Sequence, residues 1–406
     1  MPLPASADKF FELRLNILLS TLLAFASIST DLYLPAMPAM GLALGASQDQ
    51  MQYTITAYLI GFSLGQLFWG PVGDKYGRRW PIAIGLVLFI LGSAGCALAS
   101  DARQLIGFRV LQALGACASV VLARAIVRDF YERDRAAKVL STLMTIMAIA
   151  PLIGPSLGGM ILRVAPWQAI FWALVIIGFA TLAGLFTVPE SLKPERRNAE
   201  PLARAFGAYA GLMIDRRLMA YAGAIGFYYA GVFAYISSSS FAFISYHHLN
   251  PQVYGVIFSV GIVGLMLANM VNSRLVTKLG GDRLLLIGAV GAVVFGAIVA
   301  LVTLTDIGGY WMLALALWRF VAMNGFINAN AVSGALAYFP QRAGAVSALL
   351  GAIQYGSGVF GSAVAGAAAD GTPRPMGLVI FVSTLGCMLS AMLIQKAKAN
   401  LSSWFR

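Results

Sequence analysis

A chain of 406 residues that is 59% hydrophobic and 11% charged, with a mean hydropathy of +0.80, lies outside the usual range of water-soluble proteins, in which about a quarter of residues carry charge. The formal net charge of +12 would suit a polyanion-binding surface, but the basic residues fall in short groups between long charge-free stretches. Composition therefore excludes a soluble enzyme or nucleic-acid-binding domain and leaves a helical membrane protein.

Stretches 139–162, 164–189, 218–246, 284–305, 320–341, 343–369 and 375–395 contain no Asp, Glu, Lys or Arg. A bilayer core of about 30 Å takes about 20 helical residues, so each can cross it. Twelve spans are expected, beginning near residues 15, 52, 80, 104, 139, 165, 218, 253, 284, 309, 343 and 375. The first follows Lys9 and Arg14 as a secretory signal would, yet the polar signature behind it and eleven further spans favour a retained helix. That signature is ISTDLYLPAMPAM, in which Asp31 ends a charge-free run from Leu15 to Thr30. An ionisable group at this depth is expensive and reads as functional, and Pro35 and Pro38 bend the helix end and free carbonyls toward a cavity.

Between spans two and three lies GPVGDKYGRR. Gly70 and Gly73 permit close helix approach, Gly77 permits a tight turn, Asp74 suits a helix N-terminus, and Arg78 and Arg79 offer donors to carboxylates on neighbouring helices. Span four carries Arg109, roughly 21 Å from the inner face, against roughly 25 Å for Asp31, so the two are expected to pair. Arg124, in RAIVRD, sits near the inner end of that span and is a poor partner for Asp31. Span five holds APLIGPSLGGMI. Pro151 and Pro155 bend the helix, while Gly154, Gly158 and Gly159 strip side chains from one face for close packing.

After span six comes a charged connection, 189–217, containing a short interfacial helix. In span seven Tyr228, Tyr229, Tyr235 and Ser237–Ser240 supply polar groups, and HHLNP breaks the long apolar stretch before span eight. Span ten adds Asn324, Asn328 and Asn330, and span eleven Gln354. With Tyr33, Tyr58, Gln66 and Gln112 they form an expected aromatic and amide cavity holding one acid, suited to amphipathic compounds that are neutral or weakly cationic. Cys96, Cys117 and Cys387 stand singly in apolar helices, and His247 and His248 are adjacent at a helix end, so no metal site is expected.

Two echoes suggest an internal repeat: Asp74–Gly77 (DKYG) against Thr277–Gly280 (TKLG), and Arg109-x5-Gly115 against Arg319-x5-Gly325. They divide the chain into six-helix bundles at 1–188 and 218–406, with the substrate site expected at their interface. Most of the 28 Lys and Arg residues fall in alternate connections, among them Lys75, Arg78, Arg79, Arg128, Arg216, Arg217 and Lys278, leaving Arg103, Arg163 and Arg374 in the others. This asymmetry puts both termini in the cytoplasm.

GPVGDKYGRR resembles the signature loop of the major facilitator superfamily. TDLYLPAMP, YLIGFSLGQLFWGP, RAIVRD, PERR, NAVSGALAYFP and AGAVSALLGAIQ are similar to its bicyclomycin-resistance (Bcr/CflA) drug–proton antiporters. The resemblance runs nearly end to end and departs at Thr277, which stands where the second-half loop would carry an aspartate. It implies an all-α major facilitator fold, an inner-membrane monomer in a lipid bilayer, and multidrug efflux driven by the proton gradient with no cofactor. It also implies a cytoplasmic latch of Asp74, Arg78 and Asp129, an antiporter hinge and proton seal at Pro151–Gly159, and a proton-coupling role for Asp31 with Arg109. Proton-coupled uptake and metabolite export are alternatives on the same fold, and the span-five motif favours export. A membrane-embedded enzyme lacks support, since no HExxH, Cys/His metal set or phosphate loop occurs.

Overall fold

The computed structural model describes residues 9–131, 133–197 and 202–404, so residues 198–201 of the expected connection lie outside it. Every regular element among the described residues is helical. The first half contains α1 (Lys9–Asp31), α2 (Met37–Ala43), α3 (Gln48–Tyr76), α4 (Arg79–Leu98), α5 (Ala102–Phe130), α6 (Arg133–Val164) and α7 (Gln168–Leu185). A short helix α8 (Leu202–Met213) lies in the connection. The second half contains α9 (Arg216–Ser240), α10 (Pro251–Leu279), α11 (Gly281–Thr305), α12 (Gly309–Ala322), α13 (Asn324–Tyr338), α14 (Ala343–Ala367) and α15 (Arg374–Trp404). Among the described residues, eleven stretches are long and apolar enough to cross a bilayer, and α6 adds the apolar segment Ile149–Val164. The protein is thus a multi-pass membrane protein.

Three expected spans are interrupted, each for a local reason. α1 stops at Asp31, because Pro35 cannot donate to the carbonyl one turn earlier; a 3-10 turn, Leu34–Ala36, then leads into α2. Span ten breaks at Met323, between α12 and α13, where the Tyr228 hydroxyl donates to the carbonyls of Phe320 (2.9 Å) and Val321 (3.2 Å). Span seven ends in a π turn, Phe241–Tyr246. Beyond it Asn250 caps α10 by accepting from the Gln252 amide at 2.9 Å, with Pro251 in the first turn where no donor is needed. α6 runs unbroken through Pro151 and Pro155.

Helix pairing is the same in both halves. The first span packs on the fifth (α1 on α6, α9 on α14) and the second on the fourth (α3 on α5, α10 on α12 and α13). The third packs on the fourth and sixth (α4 on α5 and α7; α11 on α12, α13 and α15). Across the halves, the second span of each meets the fifth of the other: α3 lies on α14 and α6 on α10. Lys75, Arg78, Arg79, Arg128, Arg216, Arg217 and Lys278 mark one face of the bundle, called here the basic face.

Candidate functional site

The deepest polar groups surround Arg109, which is fully buried. Its Nη1 donates to the Ser29 carbonyl at 3.0 Å and to Gln112 Oε1 at 2.5 Å. The guanidinium lies between two rings, 4.6 Å from the centroid of Tyr33 and 4.4 Å from that of Tyr58. Tyr33 is anchored through its hydroxyl to Thr54, and Gln112 passes the network on to Ser93 at 2.7 Å. Two aromatic faces in a dry setting hold a cation well, yet Nε and Nη2 of Arg109 have no hydrogen-bond partner.

Asp31 is not the partner of Arg109 here. Its carboxylate accepts from Thr30 Oγ1 at 3.2 Å, and the side chain is 5% exposed. The expected ion pair is absent because the backbone turns away after Asp31, and Arg109 instead reaches the carbonyl two residues earlier. Asp31 abuts α6: a Cβ on Gly154 would stand 3.0 Å from Asp31 Cβ, and one on Gly158 2.0 Å from the Leu32 carbonyl oxygen. On the other side of α6, a Cβ on Gly159 would stand 3.0 Å from the Pro251 carbonyl, and one on Gly255 of α10 would stand 2.8 Å from Pro155. Gln252 Nε2 donates to the Gly159 carbonyl at 2.9 Å and Ser259 Oγ to the Leu152 carbonyl at 2.5 Å. The GP-xx-GG stretch is therefore the point where α1, α6 and α10 come closest. Tyr235 and Tyr254, of the second half, lie within electrostatic reach of Asp31.

Between the described residues, the side-chain hydrogen bonds joining the halves run from mid-membrane to the face opposite the basic one. They are Ser63 to the Ala352 carbonyl, Thr56 with Ser362, Ser156 with Ser259, Ser240 to Met37, and the two α10–α6 bonds above. The molecule is closed at that end.

At the basic face Arg78 donates to Asp74 at 2.7 Å and to Asp129 at 2.9 Å. Burial works against its charge, but the bonds to the two carboxylates outweigh it and hold the guanidinium above its ordinary range. Asp74 sits in the last turn of α3, not at a helix N-terminus as expected, so Arg78 rather than the macrodipole supports it. Gly73 meets Leu122, which a Cβ would approach to 2.3 Å, and Gly77 has φ +93. Gly70 has nothing within 4 Å of a Cβ, so the close approach expected there is absent in this conformation. Two residues that motif reasoning passed over complete the cluster. Glu190 accepts from the backbone amides of Arg78 (2.8 Å) and Arg79 (3.0 Å), and Ser191 donates to Asp129 at 2.9 Å. Their signal was Pro-Glu-Ser directly after span six.

The remaining expected cavity residues divide. Tyr228 is fully buried and committed to the break in span ten; Tyr235 is buried and stacked on Phe258, centroids 5.5 Å apart. Asn330 bonds Asn272 of α10 at 2.7 Å and holds helices together, and Gln112 serves Arg109. None of these four faces open space here. Asn324, Asn328 and Gln354 are half-buried; Asn324 donates to the Tyr229 hydroxyl at 3.1 Å, and Asn328 Oδ1 has no partner. A chain of rings that the sequence did not reveal crosses between halves: Tyr58 to Phe62 at 6.0 Å, Phe62 to Tyr355 at 4.3 Å, Tyr355 to Phe233 at 5.8 Å and Phe233 to Tyr229 at 6.1 Å.

Paired six-span bundles, closed at one end and carrying an acid and an arginine at membrane depth, define a membrane transporter rather than an enzyme. The Major Facilitator Superfamily model matches residues 17–362, and the chain belongs to that superfamily. It is 32% identical to the bicyclomycin resistance protein homolog of Haemophilus influenzae, over 87% of this chain and 90% of that one. It is 31% identical to the multidrug transporter MdfA of Yersinia pestis, over 81% and 80% of the two chains. In fold it matches the xylose transporter XylE from E. coli in a partially occluded inward-open conformation, with a TM-score of 0.75 at 15% identity over 96% of this chain and 98% of that one.

Proposed function

We propose that this protein exports small amphipathic, drug-like compounds in exchange for protons, by alternating access, from the cytoplasm across a bacterial inner membrane. In this reading it works as a monomer in the lipid bilayer, with both termini cytoplasmic, and needs no cofactor beyond the proton gradient. The basic face is then the cytoplasmic one, and the conformation described is open toward it. Relatives named for bicyclomycin resistance and multidrug transport support the cargo class.

One observation carries the coupling: Asp31 lies buried against Gly154 of α6, the helix whose other side forms the seam with α10, while its candidate cation Arg109 is engaged elsewhere. Opening that seam exposes Asp31 to the far side, where it exchanges its proton; closing it returns the carboxyl to the cytoplasmic cavity. The cluster of Asp74, Arg78, Asp129, Glu190 and Ser191 acts as the cytoplasmic latch, holding the ends of α3, α4 and α5 together as the halves rock. Compounds stack on the aromatic chain and are oriented by Asn324, Asn328 and Gln354.

The test is substrate-induced proton release from purified protein across a panel of antibiotics, wild type beside Asp31→Asn. Release that vanishes in the variant, with binding retained, is the expected result. Binding without release for every compound would remove proton coupling and leave Asp31 a packing residue.

A further inference from the structure

α3 is gripped from three sides in the turn that precedes Pro71. Gln66 faces α14, where a Cβ on Gly351 would stand 2.9 Å from its Oε1. Trp69 Nε1 donates to the Leu114 carbonyl of α5 at 2.8 Å. Between them, the Leu67 carbonyl accepts from the Tyr209 hydroxyl of α8 at 3.3 Å. That carbonyl is open to an outside donor for a chemical reason: the helical amide four residues on belongs to Pro71, which has no N–H. The next turn of α3 carries Asp74 and the latch.

α8 is one-sided. Tyr209 and Leu212 are buried, with Leu202, Ala205 and Ala208 half-buried on the same face, whereas Phe206, Gly207, Ala210, Gly211 and Met213 are exposed. The helix packs on α3 of the first half and on α14 and α9 of the second. Only Ile214 and Asp215 separate it from α9, and Asp215 caps α9 by accepting from the amides of Arg217 and Leu218, both at 2.9 Å. α8 is thus joined by a short, capped turn to the second half and hydrogen-bonded to the first through Tyr209. A phenylalanine would fill the same space; the hydroxyl is what reaches the carbonyl that Pro71 leaves without a donor.

We infer that α8 is a strut between the halves, with Tyr209 the positioning residue that fixes it to α3 at the proline, and that this strut sets how far the halves stand apart at the basic face. The inference rests on the alternating-access reading above and adds the element that limits opening on the side where the latch lies. When the second half rocks, α9 carries α8 with it, and the Tyr209 bond transmits that movement to α3 one turn before Asp74.

The experiment uses the full chain in nanodiscs, without cargo, and double electron–electron resonance between nitroxides on Arg128→Cys and Arg342→Cys. Both positions are exposed at the basic face, one near the end of α5 in the first half and the other just before α14 in the second. Cys96, Cys117 and Cys387 are buried and so spared by the label. Tyr209→Phe should broaden the distance distribution and shift it to longer values by several ångströms, the scale of a rigid-body gating step. The melting temperature should stay within a few degrees of wild type. Pro71→Ala supplies the Leu67 carbonyl with an amide from within α3, so in that background Tyr209→Phe should leave the distribution where it is. Superimposable distributions for wild type and Tyr209→Phe overturn the strut; a lowered melting temperature with unchanged distances makes Tyr209 a packing residue only and overturns it as well. An equal shift in the Pro71→Ala background overturns the attachment at the proline, and the proposal with it. The measurement needs neither cargo nor proton gradient, so each of these failures leaves the export reading to its own proton-release test.

Discussion

At Gly158 a Cβ would stand 2.0 Å from the carbonyl oxygen of Leu32, a backbone atom that cannot swing aside. Gly158→Ala should therefore force α6 away from α1 and destabilise the packing of the first half by about 1–3 kcal/mol, the usual cost of overpacking. The expected sign is a lower melting temperature than wild type in detergent; an unchanged melting temperature would mean the contact yields without cost. Arg109 is a second position where a small change is not conservative. Its flat guanidinium fits between Tyr33 and Tyr58 while donating to Ser29 and Gln112. The ammonium of Arg109→Lys can do one of these at a time. Export should fall at least about tenfold, with the protein still inserted and melting within a few degrees of wild type. Export near the wild-type rate would show that charge alone suffices there.

Among the elements, the segment leaving α7 does more than connect the halves. Glu190 caps α4 by accepting from two consecutive amides, and Ser191 bonds the same carboxylate that Arg78 holds. Glu190→Gln loses one acceptor and a charge well placed on the helix dipole, about 1 kcal/mol of support for the latch. In the proposed cycle the latch lies off the cargo path, so Glu190→Gln should change turnover while shifting substrate affinity less than about twofold; an affinity loss equal to the turnover loss would place Glu190 in the binding path instead. The elements also separate what the sequence could reveal from what it could not. Charge-free runs and basic connections announced the spans because the bilayer acts on each segment singly. Local motifs likewise located Asp74, Arg78 and the glycines of α6, whose packing depends on small residues at fixed spacing. Side-chain partnerships across helices escaped. Arg109 chose a carbonyl and two rings over Asp31, and Tyr228 and Asn330 went to carbonyl and amide partners at helix joints. Those choices depend on which face a helix turns, and equal depth along two helices does not determine it.

For the whole molecule, the second span of each half leans on the fifth of the other, so two seams related by the internal repeat hold the closed end. They differ in construction. Along α3 and α14 the contact is strung out from Gln52 to Gln66, whereas along α6 and α10 it concentrates where Pro155, Gly159 and Gly255 let backbones touch. If the halves rock as rigid bodies, the second seam must part in every cycle, and a covalent tie across it should stop transport without blocking the approach to the cavity from the basic face. Ser156 and Ser259 suit the tie, with their hydroxyl oxygens 3.3 Å apart on facing helices, so a disulfide between cysteines there would need little movement. Oxidation of the Ser156→Cys, Ser259→Cys double variant should abolish export, and reduction should restore it, while substrate affinity measured on the oxidised protein stays within about threefold. Each single variant should be insensitive to oxidant. Continued export through the oxidised double variant would mean that this seam stays shut throughout the cycle, and that access at the far face alternates elsewhere, along α3 and α14.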